Sequence, residues 1–231
     1  VDPDRTPRTP RTTTTATVLA ASLPAVPLLL LLTPALLGGE HARAEDALRQ
    51  WAAEGFPHHL LTLQLLGALA LAPLLVSSLT LVPPGTRGRV PALAATVLGG
   101  AAAVTTVLVL GYELAQGALV SGTLDVEAGV RAALVTNDWL PFLVMLLAGV
   151  GGCVLTLPLV TAALARHGLV RWTALAAFAL PVVAAVLPLP GRAAELLPSA
   201  VLVLACLPAT ADLLRGRHRT APHRSLSDAH A

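Results

Sequence analysis

Six stretches of this sequence are apolar on every helical face: roughly 17–38, 58–82, 90–113, 139–165, 171–189 and 195–214. A helix needs about 20 mostly apolar residues to cross about 30 Å of hydrocarbon. Helices of soluble proteins keep a polar stripe toward water, and these segments have none. The first reads TVLAASLPAVPLLLLLTPALLG, without a single charge. The expected fold is therefore all-α, an integral membrane bundle of six transmembrane helices over 17–214. A disordered N-tail (1–16) and a disordered basic C-tail (215–231) flank it, both polar and Pro-bearing. Pro24, Pro27, Pro34, Pro73, Pro158, Pro181 and Pro208 lie inside the apolar segments. Membrane helices tolerate them because neighbouring groups re-satisfy the freed carbonyls.

Composition excludes the main alternatives. Of 231 residues, 55% are hydrophobic and only 12% charged, and the mean hydropathy is +0.75. A soluble domain carries roughly 25% charged residues, so half of the usual solvated surface is missing. Net charge is +2, and no basic cluster is interleaved with aromatics, which speaks against nucleic acid as a partner. Two distant cysteines are too few for a disulfide scaffold or a four-thiolate metal site. All 15 basic residues are Arg, a bias expected of a GC-rich bacterial genome.

Arginine placement sets direction. With the N-terminus inside, the inner pieces carry Arg5, Arg8, Arg11, Arg87, Arg89, Arg166, Arg171, Arg215, Arg217, Arg219 and Arg224, against only Arg43, Arg49, Arg131 and Arg192 outside. Excess Lys/Arg marks cytoplasmic loops, so both ends are expected in the cytoplasm of a bacterium, with the chain in the inner membrane. The Arg-bearing start, apolar run and Ala42-Arg43-Ala44 also outline a signal peptide. The apolar run exceeds the usual 7–15 residues of such a segment, so a retained first helix is expected. Trp51, Phe56, Tyr112, Trp139 and Phe142 collect at the outer boundary and Trp172 at the inner one, as an interfacial belt does. Within the first outer loop, Leu48, Trp51 and Ala52 share a helical face and Glu45–Arg49 are spaced i,i+4. A short amphipathic helix on the outer membrane surface is expected there.

Chemistry is sparse. The central thirds of all six segments contain no Asp, Glu, Arg or His, which weighs against a proton relay or voltage sensor. Gln64, Ser77, Ser78, Thr105, Thr106 and Thr156 are expected to bond to their own helix backbone or a neighbour. No histidine pair sits at matching depth for haem, and the zinc, phosphate-loop and nucleophile-elbow motifs are absent. No cofactor, metal or catalytic residue is expected. Cys153 and Cys206 read as small hydrophobes.

The one polar constellation is His58, His59, Glu113 and Asp138, at three outer helix ends. Glu113 is expected near a helix C-terminus, where the dipole disfavours an anion. These four are the candidate outer-face ligand site, against the plainer reading of solvated boundary residues. Helix packing is expected from two small-residue stripes: Ala95, Gly99 and Ala103 on the third segment, and Ala148, Gly149 and Gly152 on the fourth.

The layout resembles a group of bacterial multi-pass membrane proteins of unassigned activity. The shared features are an Arg-bearing N-tail before a Leu-rich first span, an acidic amphipathic stretch in the first outer loop, and the inner turns PPGTRGRVP and RHGLVRW. This resemblance implies six helices and transfers no functional residue. A non-enzymatic packing, sensing or accessory protein is the leading expectation. A small transporter or permease subunit, or a membrane enzyme using the outer cluster, are the alternatives. The expected partners are the bilayer and a second copy or another membrane protein. Reporter fusions check the topology. Alkaline phosphatase fused after residue 231 should be inactive and a fluorescent protein there should shine; the reverse pattern removes the six-span arrangement.

Overall fold

A computed structural model describes residues 10–37, 44–122, 125–137, 140–188 and 193–216. Every regular element among them is helical: α1 (Pro10–Pro27), a π-helical turn (Leu28–Leu32), α2 (Thr33–Leu37), α3 (Ala44–Glu54), α4 (His58–Leu81), α5 (Arg89–Gly122), α6 (Val126–Asn137), α7 (Leu140–His167), α8 (Trp172–Ala176), α9 (Ala179–Val186) and α10 (Ala193–Leu214). Five stretches are long and apolar enough to cross a membrane: Thr14–Leu32, His58–Leu81, Arg89–Gly122, Leu143–His167 and Leu196–Leu214. The fifth expected span is the exception. There the helical residues are the shorter Trp172–Val186, interrupted at Ala177–Phe178. Pro181 has no N–H to offer the carbonyl of Ala177, which instead accepts from Leu180 N at 3.1 Å, a tightened i,i+3 bond. Leu187, just before Pro188, is already extended (φ −71°, ψ 133°), as a residue preceding proline prefers.

Large apolar side chains face outward along the long helices. Val76, Val97, Leu147 and Val186 are each more than 60% exposed. Water would penalise such a girdle heavily; lipid does not. The larger of two buried clusters includes Leu19, Leu23, Leu71, Leu74, Leu157 and Cys206.

Helix directions follow from a few contacts. α4 and α5 form a hairpin closed by residues 82–88, where Arg89 Nη1 donates to the carbonyls of Leu79 (3.0 Å) and Val82 (2.9 Å). α5 and α7 make the most extensive helix pair and run antiparallel, with Gly99 against Thr156, Ala102 against Gly152 and Gly88 against the Ala163 carbonyl. Thr210 Oγ1 donates to the Ala20 carbonyl at 3.2 Å. The π-turn and α2 also pack on α10, which ends only four residues after Thr210, so α1 and α10 are antiparallel. Arg171 N donates to Asp212 Oδ2 at 3.0 Å. One end of the bundle therefore gathers the 82–88 turn, the end of α7, Arg171 and the end of α10.

The opposite end carries a cap. α3, α6 and the last turns of α5 enclose Leu48, Val120, Val130 and Ala133, with Trp51 and Ala52 packed against them. Two expectations change here. The third segment does not stop at 113; α5 continues to Gly122 because Val120 and Gln116 have protein to pack on, the Gln116 amide donating to the Ala133 carbonyl at 3.0 Å. The face of α3 expected to lie on the membrane is covered instead, with Leu48 only 2% exposed. Arg49 joins the cap together, bonding Glu45 at 2.6 Å and Glu127 at 3.1 Å. Those carboxylates, Glu127 first, raise the guanidinium pKa above its ordinary value. At the N-terminus, α1 begins at Pro10, inside the tail expected to be disordered; residues 1–9 and 217–231 lie outside the described residues.

The small residues meet other helices at very short range. A β-carbon on Gly99 would stand 2.9 Å from Thr156 Cγ2 and 3.0 Å from Leu75 Cδ2. One on Gly152 would stand 2.8 Å from Ala102 Cβ, and one on Gly149 3.1 Å from Thr106 Oγ1. Ala95 is fully buried, and Ala103 is half-buried against the core. Ala148 is exposed, so the contact stripe on α7 runs through Gly149, Gly152, Cys153 and Thr156. Gly151, next in sequence to Gly152, has nothing within 4 Å of its β-position. Gly152→Leu should therefore lower the stability of detergent-solubilised protein by about 1–3 kcal/mol through overpacking. Gly151→Ala should raise it by about 0.5–1 kcal/mol, the helix-propensity gain. Thermal unfolding of the two variants checks this; equal shifts would mean that Gly152 faces no helix.

Candidate functional site

Glu113 lies in the interior of α5, nine residues before its end, so the dipole argument for it lapses. Its surroundings give a better one. Glu113 lines a cavity of about 60 Å³ between the π-turn, α4, α5 and α7, together with Leu30, Leu31, Gln64, Thr106, Gly149 and Cys153. Thr106 is in hydrogen-bond contact with the Cys153 thiol. Among the described residues, neither the Glu113 carboxylate nor the Gln64 amide has a hydrogen-bond or ion-pair partner.

Each element contributes for a local reason. Pro34 cannot donate to the Leu30 carbonyl, and the helix ahead of it widens: Thr33 N–H and Thr33 Oγ1 both reach the Leu28 carbonyl, the hydroxyl at 2.7 Å. Such wide turns appear mostly as single-turn bulges, often at functional sites. Gly67 of α4 receives the turn closely, a β-carbon there falling 2.6 Å from Leu30 Cγ. Gly149 similarly lets α7 approach Thr105 and Thr106. The cavity is the space left between these two close approaches.

The other expected members sit elsewhere. His58 and His59 are exposed at the start of α4 and do not line the cavity. The His58 ring meets Phe56 edge-on at 5.3 Å, and Phe56 in turn packs over Gly117, one turn beyond Glu113. Asp138 lies outside the described residues. Among the described residues no group of three or more His, Cys, Asp or Glu is placed to hold a metal ion. Most other hydroxyls within the long helices bond to their own backbone, such as Thr156 to Gly152 (2.7 Å), Ser78 to Leu75 (2.8 Å) and Thr105 to Ala101 (3.0 Å).

Sequence reasoning placed Glu113 at the outer boundary but missed Gln64, Thr106 and Cys153 as its neighbours. A hairpin count recovers one of them. Leu75 meets Gly99 across the α4–α5 pair; eleven residues farther out on each arm, Gln64 falls level with Leu110, one turn from Glu113. Comparison with family profiles, curated proteins and solved structures yields no match to the chain.

A carboxylate without a partner among the described residues, set in a largely apolar cavity, does not hold a fold together. Removing a carboxylate from water without a partner costs desolvation that no bond repays, and even paired buried charges can often be replaced by hydrophobes without loss. Glu113→Leu should leave thermal stability in detergent unchanged or raise it by about 1 kcal/mol or more. A marked loss would reveal a structural partner for the carboxylate.

Proposed function

We propose that this chain is a non-enzymatic multi-pass protein of the bacterial cytoplasmic membrane that senses protons or a small cation at Glu113. It crosses six times with both ends in the cytoplasm, and it belongs with the bacterial multi-pass proteins its layout resembles. Charge supports the direction: Arg87, Arg89, Arg166, Arg171 and Arg215 all belong to the end where α7 and α10 finish. Connectivity supports the sixth crossing. The chain leaves that end at Arg171 and must reach Ala193, the far end of α10, which is about 33 Å long at 1.5 Å per residue. Helical residues 172–186 supply about 22 Å of that path, and Leu187 is already extended, a conformation that adds about 3.3 Å per residue. The exposed faces of Leu180, Val182, Val183 and Val186 suit lipid along the way.

Glu113 lies about 36 Å along α5 from Arg89 at that rise, near the outer edge of a hydrocarbon layer of about 30 Å. An ionisable group within a membrane-spanning helix is rare and defaults to a functional reading. The cavity size narrows which function. About 60 Å³ holds a few waters or an ion, whereas sites for small organic ligands are about 300–1,000 Å³. The space suits a proton or a partly hydrated cation better than an organic substrate. The single observation that carries the reading is this unpartnered carboxylate beside Gln64 and Thr106 in an ion-sized space.

Infrared difference spectroscopy on protein in liposomes tests it. Titration across the neutral range, or addition of sodium, potassium or calcium, should change a carboxyl C=O band that Glu113→Gln removes. If no carboxyl band attributable to Glu113 responds to any of these, the sensing site is excluded.

A further inference from the structure

At the Arg-bearing end, an open cleft of about 470 Å³ is lined by Arg87, Ala165, Arg166 and Trp172. The arginines near it divide into two kinds. Arg89 caps α4 through the Leu79 and Val82 carbonyls, and the Arg171 guanidinium stands 3.7 Å from Asp212, whose other oxygen takes the Arg171 N–H. Those two are committed to structure. Arg87 and Arg166 are exposed and, among the described residues, form no ion pair with any carboxylate. They come from different elements, the α4–α5 turn and the last turn of α7. The approach of Gly88 onto the Ala163 carbonyl pins these two elements together. Trp172, 56% exposed, forms the third wall.

We propose that this cleft binds the phosphodiester headgroup of an anionic phospholipid of the cytoplasmic leaflet. Guanidinium groups bind phosphate oxygens in fork geometry and are less strongly hydrated than ammonium groups. An indole at the same level offers an N–H at the headgroup depth and an apolar body to the acyl chains. Val90, the second residue of α5 and next to Arg89, is 74% exposed and adds apolar surface at this end of the bundle. A soluble anion would use the two charges alone; a lipid uses the charges and the apolar body of the indole together. Basic pockets between membrane helices on the cytoplasmic side hold acidic headgroups in this way. The inference rests on the membrane reading but not on Glu113.

Native mass spectrometry of the full chain in detergent, titrated with phosphatidylglycerol and phosphatidylcholine, tests it. The expected result is preferential retention of phosphatidylglycerol. Arg87→Gln and Arg166→Gln should each reduce that preference about fivefold, the effect of one basic residue near an acidic surface. Trp172→Ala should weaken retention of both lipids. Arg215→Gln, at the same end but outside the cleft, and Glu113→Gln should leave the preference intact. The proposal fails if the two lipids bind equally, or if Arg215→Gln costs as much as Arg87→Gln. It also fails if inorganic phosphate at matched concentration displaces the lipid. The variants of Arg87, Arg166, Trp172 and Arg215 should all retain wild-type thermal stability, since each of these residues is exposed.

Discussion

Close approach of α5 to α7 is the contact on which the rest of the bundle depends. Lipid tails are as apolar as leucine, so burying one apolar face on another gains little inside a bilayer. Dense packing must supply the attraction, and that requires backbones to come near each other. Gly99, Gly149 and Gly152 allow it, each with a neighbouring helix at a distance that admits no β-carbon without displacement. The same interface fixes the register that sets Gly88 on the Ala163 carbonyl, and through it the α4–α5 turn. Where α5 emerges beyond the long apolar part, the logic changes. Its last turns are held by Leu48, Val130 and the Gln116–Ala133 bond, a small core of the kind water can drive.

Polar groups obey the same environment. Ser22, Ser78, Thr80, Thr96, Thr105, Thr156 and Thr161 each hand their hydroxyl proton back to a carbonyl of their own helix. Cys206 does the same toward Leu202 at 3.4 Å. These groups are satisfied locally and carry no information about a ligand. Glu113 and Gln64 are too long for such short-range return bonds. They project into the interhelical space, where neither has a partner among the described residues.

The long helices were legible because their signal is one of absence: no charge and no polar stripe over about 20 residues, which only lipid permits. The ends were not. Continuation of α5 past Glu113 depends on α6 returning to cover Val120, a tertiary contact that local apolarity cannot encode. The amphipathic face of α3 was legible, and its partner was not, since Leu48, Trp51 and Ala52 fit a membrane surface or a protein core equally well. The shortening of the fifth segment was written in Pro181 and Pro188, but hydropathy outweighed them in the reading. For the site, one residue was found for the wrong reason. Glu113 was singled out by a helix end that is absent, while the cavity that gives it interest comes from three other helices.

Proline placement links these observations. Around α9, Pro181 and Pro188 bound a short helix whose exposed face carries Leu180, Val182, Val183 and Val186. In the first helix, Pro34 widens a single turn without ending the helix, because Thr33 supplies both its N–H and its hydroxyl to the Leu28 carbonyl. The widened turn presents Leu30 and Leu31 one step off the regular register. Leu30 then seats on Gly67, where a larger residue would collide, and α1 is drawn toward α4 on that side. Space remains on the side of Glu113, between the turn and Gly149. The cavity therefore requires Pro34, Thr33, Gly67 and Gly149 jointly, although none of the four is chemically reactive. A largely apolar pocket holding one carboxylate can thus be built in a chain almost devoid of charge, by spoiling the regularity of one helix where two glycines can absorb the change.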